Sequence, residues 1–505
     1  MANGRTDLGR FERILRLFTD VRSGEGATVL LLAVNVFLLL TAYYFIKPLR
    51  EALILDESGA EIKSYASALQ ALILLGAVPA YGALAGRLSR RRLINGVTLF
   101  FAACLVAFFA LGQLGLNLGV VFFLWVGIFN LMVVAQFWSF ANDLYTNEEG
   151  ERLFPLVQFG ASAGAVFGSV VVGRLIEPLG IWFPMLIAAG ILIASLLVTN
   201  LVDRRERQRT ERDRLPGVST ASAPAATGEF RMETGEFRDL RAELRQALQR
   251  LEAEESSPEG VELEESAPPE HTTREFEPGP EVSTGRGAFA LVFQTRYLLL
   301  IALLVLFLNW VNTTGEYILG SVVEDAARNA VASGAAAGMS VGQYIGAFYS
   351  NFFAVVNVAG LVIQLFIVSR VVKYLGIRVA IMILPIISLG AYGLLAFFPV
   401  LGAVRWAKTA ENATDYSLMS TVRQTLFLPM TREQKYKAKQ ATDAFFWRAG
   451  DVLSALVVWL GTTWLAMGAS DFAKFNILLV LIWLGISVWI GREYTRLVRS
   501  GQPPV

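Results

Sequence analysis

The residues best suited to chemistry are charges set where charge is costly. The stretch RWAKTAENATDYS, residues 405–417, places Arg405, Lys408, Glu411 and Asp415 within eleven residues of a chain otherwise rich in apolar runs. At about 100° per residue these side chains project within roughly 120° of one another over three turns, cations first and acids after. Lys408 and Glu411 stand three apart and Glu411 and Asp415 four apart, so the helix either ties off its own charges or presents them to a polar cavity. In YYFIKPLRE the same arithmetic gathers Tyr43, Lys47, Arg50 and Glu51 on one face, either at a cavity or at a helix end reaching for the interface. In NWVNTTGEYILG, Asn309, Asn312, Thr313 and Glu316 make a polar stripe that faces either a cavity or a neighbouring helix. Asp443, Trp447, Arg448 and Asp451 cluster further on, and QFWSFANDLYTNEEGER carries Asn142 and Asp143, suited to capping a helix or starting a gate.

These residue types suit handling of a charged solute better than bond-making. No nucleophile–base constellation, metal-ligand cluster or Walker-type phosphate loop occurs, so no enzyme, metal or cofactor is expected. Cys104 and His271 are the only cysteine and histidine, which excludes an intrachain disulfide and a histidine relay. Lys47, Arg50, Arg405, Lys408 and Arg448, with Tyr43, Asn309 and Asn312, are the expected contacts of an anionic solute, through charge-assisted hydrogen bonds. Glu51, Asp143, Glu316, Glu411, Asp415, Asp443 and Asp451 are the expected coupling or gating acids, pairing with the cations or carrying a proton. With Arg423 counted, six cations face six acids in the first, seventh, tenth and eleventh spans, whereas a polyphosphate site calls for a surplus of cations.

The elements that position these groups follow from composition. The chain is 54% hydrophobic and 17% charged, against about 25% charged in soluble domains. Apolar runs predict an all-α polytopic membrane protein with twelve spans, at 28–53, 64–86, 93–112, 119–142, 153–174, 181–202, 293–322, 342–369, 379–398, 403–428, 440–466 and 473–492. The division is a segment at 1–27, a six-helix half at 28–202, a polar linker at 203–287, a second half at 288–492 and a tail at 493–505. The linker opens with RRERQRTERDR, repeats TGEFR, holds an amphipathic DLRAELRQALQRLEAEE and otherwise has a disordered composition. Arginine and lysine gather in alternate connections, which predicts both termini and the linker in the cytoplasm and residence in a cell inner membrane. Gly160, Gly164 and Gly168 form GxxxG steps that predict close helix packing. The expected partners are the bilayer and a small anionic solute, with no nucleic acid, and the chain is expected to be a monomer.

The halves echo one another. TNEEGER (146–152) aligns with TREQKYK (431–437) at a fixed offset of 285, and each leads into a helix rich in small residues. A parallel six-plus-six repeat is a transporter signature, with the solute site at the interface near mid-membrane. The arrangement resembles the major facilitator superfamily, and GALAGRLSRRR (82–92) is similar to its cytoplasmic loop signature, although Gly86 stands where that signature has an acid. Within it, YYFIKPLREALIL, FWSFANDLYTNEEGERLFPLVQFGASAG and ATDYSLMSTVRQTLFLP with KYKAKQATDAFFWRAGD resemble the bacterial and plastid ATP/ADP translocases. On that match Arg50, Arg423, Asp443 and Arg448 stand at signature charges, while Asp415 and Asp451 stand where the exchangers tend to have lysine.

The resemblance implies nucleotide or organophosphate transport, with ATP/ADP-like exchange as an antiporter. The alternatives are a proton-coupled transporter of another metabolite or drug, and a non-transporting membrane scaffold whose linker recruits a partner.

Overall fold

The computed structural model describes residues 25–142, 144–145, 147–214, 288–431, 434, 438–439 and 441–500. Asp143, residues 1–24 and the amphipathic linker piece lie outside what is described, as do the surroundings of Gly86. Every regular element among the described residues is helical, in accord with the all-α expectation. The first half comprises α1 (Gly26–Glu57), α2 (Gly59–Arg87), α3 (Arg90–Gln113), α4 (Gly119–Asn142), α5 (Asn147–Leu179) and α6 (Phe183–Arg214).

After a short helix, Ala288–Gln294, the second half begins with α7 (Arg296–Ala332) and α8 (Val341–Val362). A π-helical turn, Ile363–Val368, joins α8 to α9 (Ser369–Phe397), which folds at Gly376, where φ is +71°. That left-handed backbone favours glycine and turns the chain between two spans. The helix α10 (Leu401–Thr414) continues through a π turn, Asp415–Met419, into Ser420–Leu426. A third π turn, Thr442–Phe446, opens α11 (Trp447–Leu465), and α12 is Ala469–Ser500.

Nine described helical runs are long and apolar enough to cross a membrane, and the chain is a polytopic, major facilitator-like membrane protein. One of those runs, Val341–Phe397, is the pair folded at Gly376. The α2 helix and the charge-bearing α10 complete the twelve spans expected from hydropathy. Several helices outrun their expected apolar limits. The α6 helix continues through RRERQRTERDR to Arg214, because arginine, glutamate and glutamine sustain a helix as well as apolar residues do. The α7 helix carries Glu324 and Arg328 a full turn apart beyond the expected end at 322, joined as an i,i+4 ion pair.

The glycine steps of α5 work as expected. A side-chain carbon at Gly160 would lie 2.5 Å from the Ala33 carbonyl, and one at Gly168 2.7 Å from that of Thr41, so only hydrogen fits. Between them Thr41 Oγ1 donates to the Gly164 carbonyl at 3.3 Å, locking α5 against α1.

Candidate functional site

The loops joining α1 to α2, α5 to α6 and α7 to α8 lie at the end of the bundle opposite the termini, the far end. Below it, charges from both halves meet. On α1, the Arg50 guanidinium pairs with its neighbour Glu51 and stacks over Phe123 of α4, 4.7 Å from the ring centre. The other Glu51 oxygen is 2.7 Å from Lys63 Nζ of α2. Lys63 reaches across to the second half: it lies 5.4 Å from the Tyr349 ring of α8, and a carbon at Gly320 of α7 would sit 3.8 Å from its Nζ. Lys63 was not among the expected site residues, because it stands one residue before the expected start of the second span at 64. A lone basic residue near a span end carries no signal of burial.

The second half supplies the complementary cluster. Lys408, 1% exposed, lies 2.8 Å from Glu411 Oε2 and 3.5 Å from Glu316 Oε1 of α7. Its ammonium also donates to Asn312 Oδ1 at 3.0 Å, and the missing side chain of Gly315 leaves room for it. Tyr392 and Ser388 of α9 donate to Glu411 at 3.0 and 3.3 Å, and Asn412 donates to Glu316 at 3.1 Å. These bonds satisfy carboxylate lone pairs that burial would otherwise leave bare. Lys63, set against Gly320 and Tyr349, brings the first cluster up to the seam between halves, where it faces the second across a shared network of charge.

Lys47 stands apart from that pairing. It is 9% exposed and, among the described residues, has neither a carboxylate partner nor a hydrogen-bond acceptor. Its ammonium is bordered by rings instead: Phe353 of α8 at 4.0 Å, Tyr44 at 5.3 Å, Tyr416 of α10 at 5.9 Å and Tyr43 at 6.0 Å.

Other expected site residues fall elsewhere. Arg405 donates to Asn351 Oδ1 at 2.6 Å. Asn351 precedes Phe353 by two residues, about 200° around α8, so Arg405 and Lys47 meet different faces of that helix. Asp451 accepts from Asn309 and Thr313 of α7, each at 2.8 Å, and pairs with Arg448 at 3.4 Å, which bonds α11 to α7 inside the second half. Asp415 is buried in the π turn of α10, its Oδ1 without a partner among the described residues. Asp443 is exposed at the start of α11. Arg423 stacks over Trp447, 4.7 Å from the ring centre. The expected set thus divides into a seam network, a ring-bordered lysine and a separate α7–α11 brace.

At the far end the halves cap one another's helices. Glu324 of α7 accepts from the Ala60 backbone amide in the first turn of α2 at 2.9 Å. The Asp56 carboxylate of α1 lies against Gly342 in the first turn of α8, 2.7 Å from where a side-chain carbon there would sit. Gln343 of α8 donates to the Ile176 and Glu177 carbonyls of the last turns of α5, at 3.2 and 3.1 Å. Each bond satisfies a backbone group that a helix end leaves open.

The sequence profile of the Major Facilitator Superfamily matches residues 29–252. No curated protein matches by sequence. Among solved structures, a POT family transporter in complex with 5-aminolevulinic acid is similar with a TM-score of 0.55 at 11% identity, over 92% of this chain and 96% of that one. The nucleoside transporter NupG gives 0.54 at 13% identity, over 93% and 99%. The human organic anion transporter MFSD10 gives 0.50 at 17% identity, over 92% and 100%. At these identities the likeness is one of fold.

Proposed function

We propose that this chain is a secondary transporter of the major facilitator superfamily that moves a small organic anion by alternating access. The observation that carries this reading is the seam network, in which Arg50, Glu51 and Lys63 of one half face Glu316, Lys408 and Glu411 of the other. Six charges, four of them buried and Arg50 and Glu316 half-buried, are a costly way to hold two halves together, since apolar packing of the same volume is as stable or more so. Their use is in exchange of partners: an anion entering the seam replaces a carboxylate beside Arg50, Lys63 or Lys408, and the released acid turns to another donor or takes a proton.

Access follows from the far-end caps. With the termini cytoplasmic, as the arginine and lysine distribution implies, the far end faces outward. Glu324 and Gln343 then hold the outer ends together, and parting them opens the seam to the other side. The likeness to the ATP/ADP translocases supports a nucleotide or organophosphate as the solute class, moved by exchange. The even balance of charge and the unpartnered Asp415 oxygen favour a second reading, proton-coupled transport of another metabolite.

Reconstituted vesicles distinguish the two. Uptake of labelled ATP or a sugar phosphate that requires internal counter-solute supports exchange. Uptake of another solute driven by a pH gradient supports coupling, and no uptake of any solute by the reconstituted chain contradicts both.

A further inference from the structure

We propose that Lys47 and the rings of Tyr43, Tyr44, Phe353 and Tyr416 form the subsite that selects the solute, and that its ligand is a planar aromatic monoanion such as an aromatic carboxylate. This rests on the transport reading and narrows its solute class away from polyphosphates.

Charge comes first. Every cation of the seam network has a carboxylate partner: Arg50 and Lys63 share Glu51, and Lys408 lies between Glu411 and Glu316. Lys47 has none among the described residues. The nearest acids are already taken, Glu51 by Arg50 and Lys63 and Glu316 by Lys408, so none is left over for Lys47. Ring faces offset the desolvation of an ammonium only in part. One negative charge on the solute completes the site. A triphosphate brings several, and the excess would face Glu51 and Glu316 with no further unpaired cation bordering Lys47.

Shape comes second. Tyr416 is 49% exposed although the buried Lys47 of the opposite half lies beside its ring, so this ring lines open space between the halves. Its neighbours are fixed in place. Phe353 is buried and meets Tyr44 edge-on with the ring centroids 6.3 Å apart, inside the roughly 4.5–7 Å of favourable ring pairs. Tyr44 donates its hydroxyl to Asn357 at 3.1 Å. A rigid ammonium beside an open aromatic face is complementary to a flat ring that carries its anionic group in plane: the group meets Nζ while the ring stacks on Tyr416.

The test is equilibrium dialysis of the full-length protein in nanodiscs, with radiolabelled benzoate and nicotinate as probes. Cyclohexanecarboxylate, of equal charge but not planar, and ATP are measured beside them. Benzoate or nicotinate is expected to bind at least about ten-fold more tightly than cyclohexanecarboxylate. Lys47→Gln and Tyr416→Leu should each lose about ten-fold or more, while Lys47→Arg and Tyr416→Phe retain binding. Equal elution of all variants on size exclusion separates loss of the site from loss of fold. Aromatic acids that bind no better than cyclohexanecarboxylate, or binding unaffected by Lys47→Gln, overturn the proposal. ATP binding and transport without aromatic-acid binding overturns the subsite while leaving the transporter standing. No binding or transport of any solute in the panel overturns both.

Discussion

The two halves carry opposite shares of one network. In the first half, Arg50 and Lys63 outnumber Glu51, and in the second, Glu316 and Glu411 outnumber Lys408. Neither cluster is neutral alone, and the balance closes only across the seam. Charge therefore helps to hold the halves together where they must also part, and a solute anion that satisfies the cationic half changes the terms of that association. The α7–α11 brace around Asp451 makes the contrast plain: Asp451 pairs with Arg448 inside one half, accepts bonds from Asn309 and Thr313, and has no share in the seam.

Breaking the second-half cluster should have the largest effect. Lys408→Ala leaves Glu316 and Glu411 facing each other without their cation and should cost about 3–5 kcal/mol of stability, with transport abolished. Thermal unfolding in detergent and vesicle uptake read both. Adding Glu411→Gln to Lys408→Ala removes an uncompensated charge and should recover part of the stability but not transport. Recovery of transport by the double variant would mean that Lys408 serves only to neutralise Glu411.

The first-half cluster should give way more gently. Lys63→Met leaves Glu51 with Arg50, so the expected loss is about ten-fold in uptake with the protein still folded. If Lys63→Met is as severe as Lys408→Ala, the two halves do not differ in the way their pairing implies.

The contrast between seam and far end can be sharpened next. Glu324→Ala with Gln343→Ala removes caps worth about 1 kcal/mol each, together enough to shift a near-balanced equilibrium about thirty-fold. In a Cys104→Ala background, Tyr416→Cys should become more reactive toward an impermeant thiol reagent added from the far side. Unchanged labelling would show that those caps do not hold that end closed. The smallest expected effect is at Ser388. Ser388→Ala removes one donor to Glu411, which keeps Tyr392 and Lys408, and should change uptake by no more than a few-fold.

Legibility in the sequence divided along physical lines. Twelve apolar runs, the GxxxG contact of α5 with α1 and the polar faces of α1, α7 and α10 were readable, because helical periodicity is local. The Lys408–Glu411 pair was readable too, being three residues apart on one helix. Beyond that pair, Lys408 also meets Glu316 of α7. What stayed hidden was contact between helices distant in sequence. Lys63 joins Glu51 across a turn between spans, the far-end caps link residues over 160 positions apart, and Arg405 points to Asn351 although it shares an apparent face with Lys408. The π turn at Asp415–Met419 shifts the register that a uniform 100° step assumes, so Tyr416 rather than Asp415 borders Lys47.

The most direct test of the seam network as the solute site is uptake by proteoliposomes. A panel of labelled nucleotides, sugar phosphates and aromatic carboxylates would be offered to the wild-type chain, Arg50→Ala and Lys408→Ala. The account predicts that the wild type accumulates one class of anion and that both variants lose at least about ten-fold of it while still inserting in the membrane. Transport by both variants at the wild-type rate would contradict it.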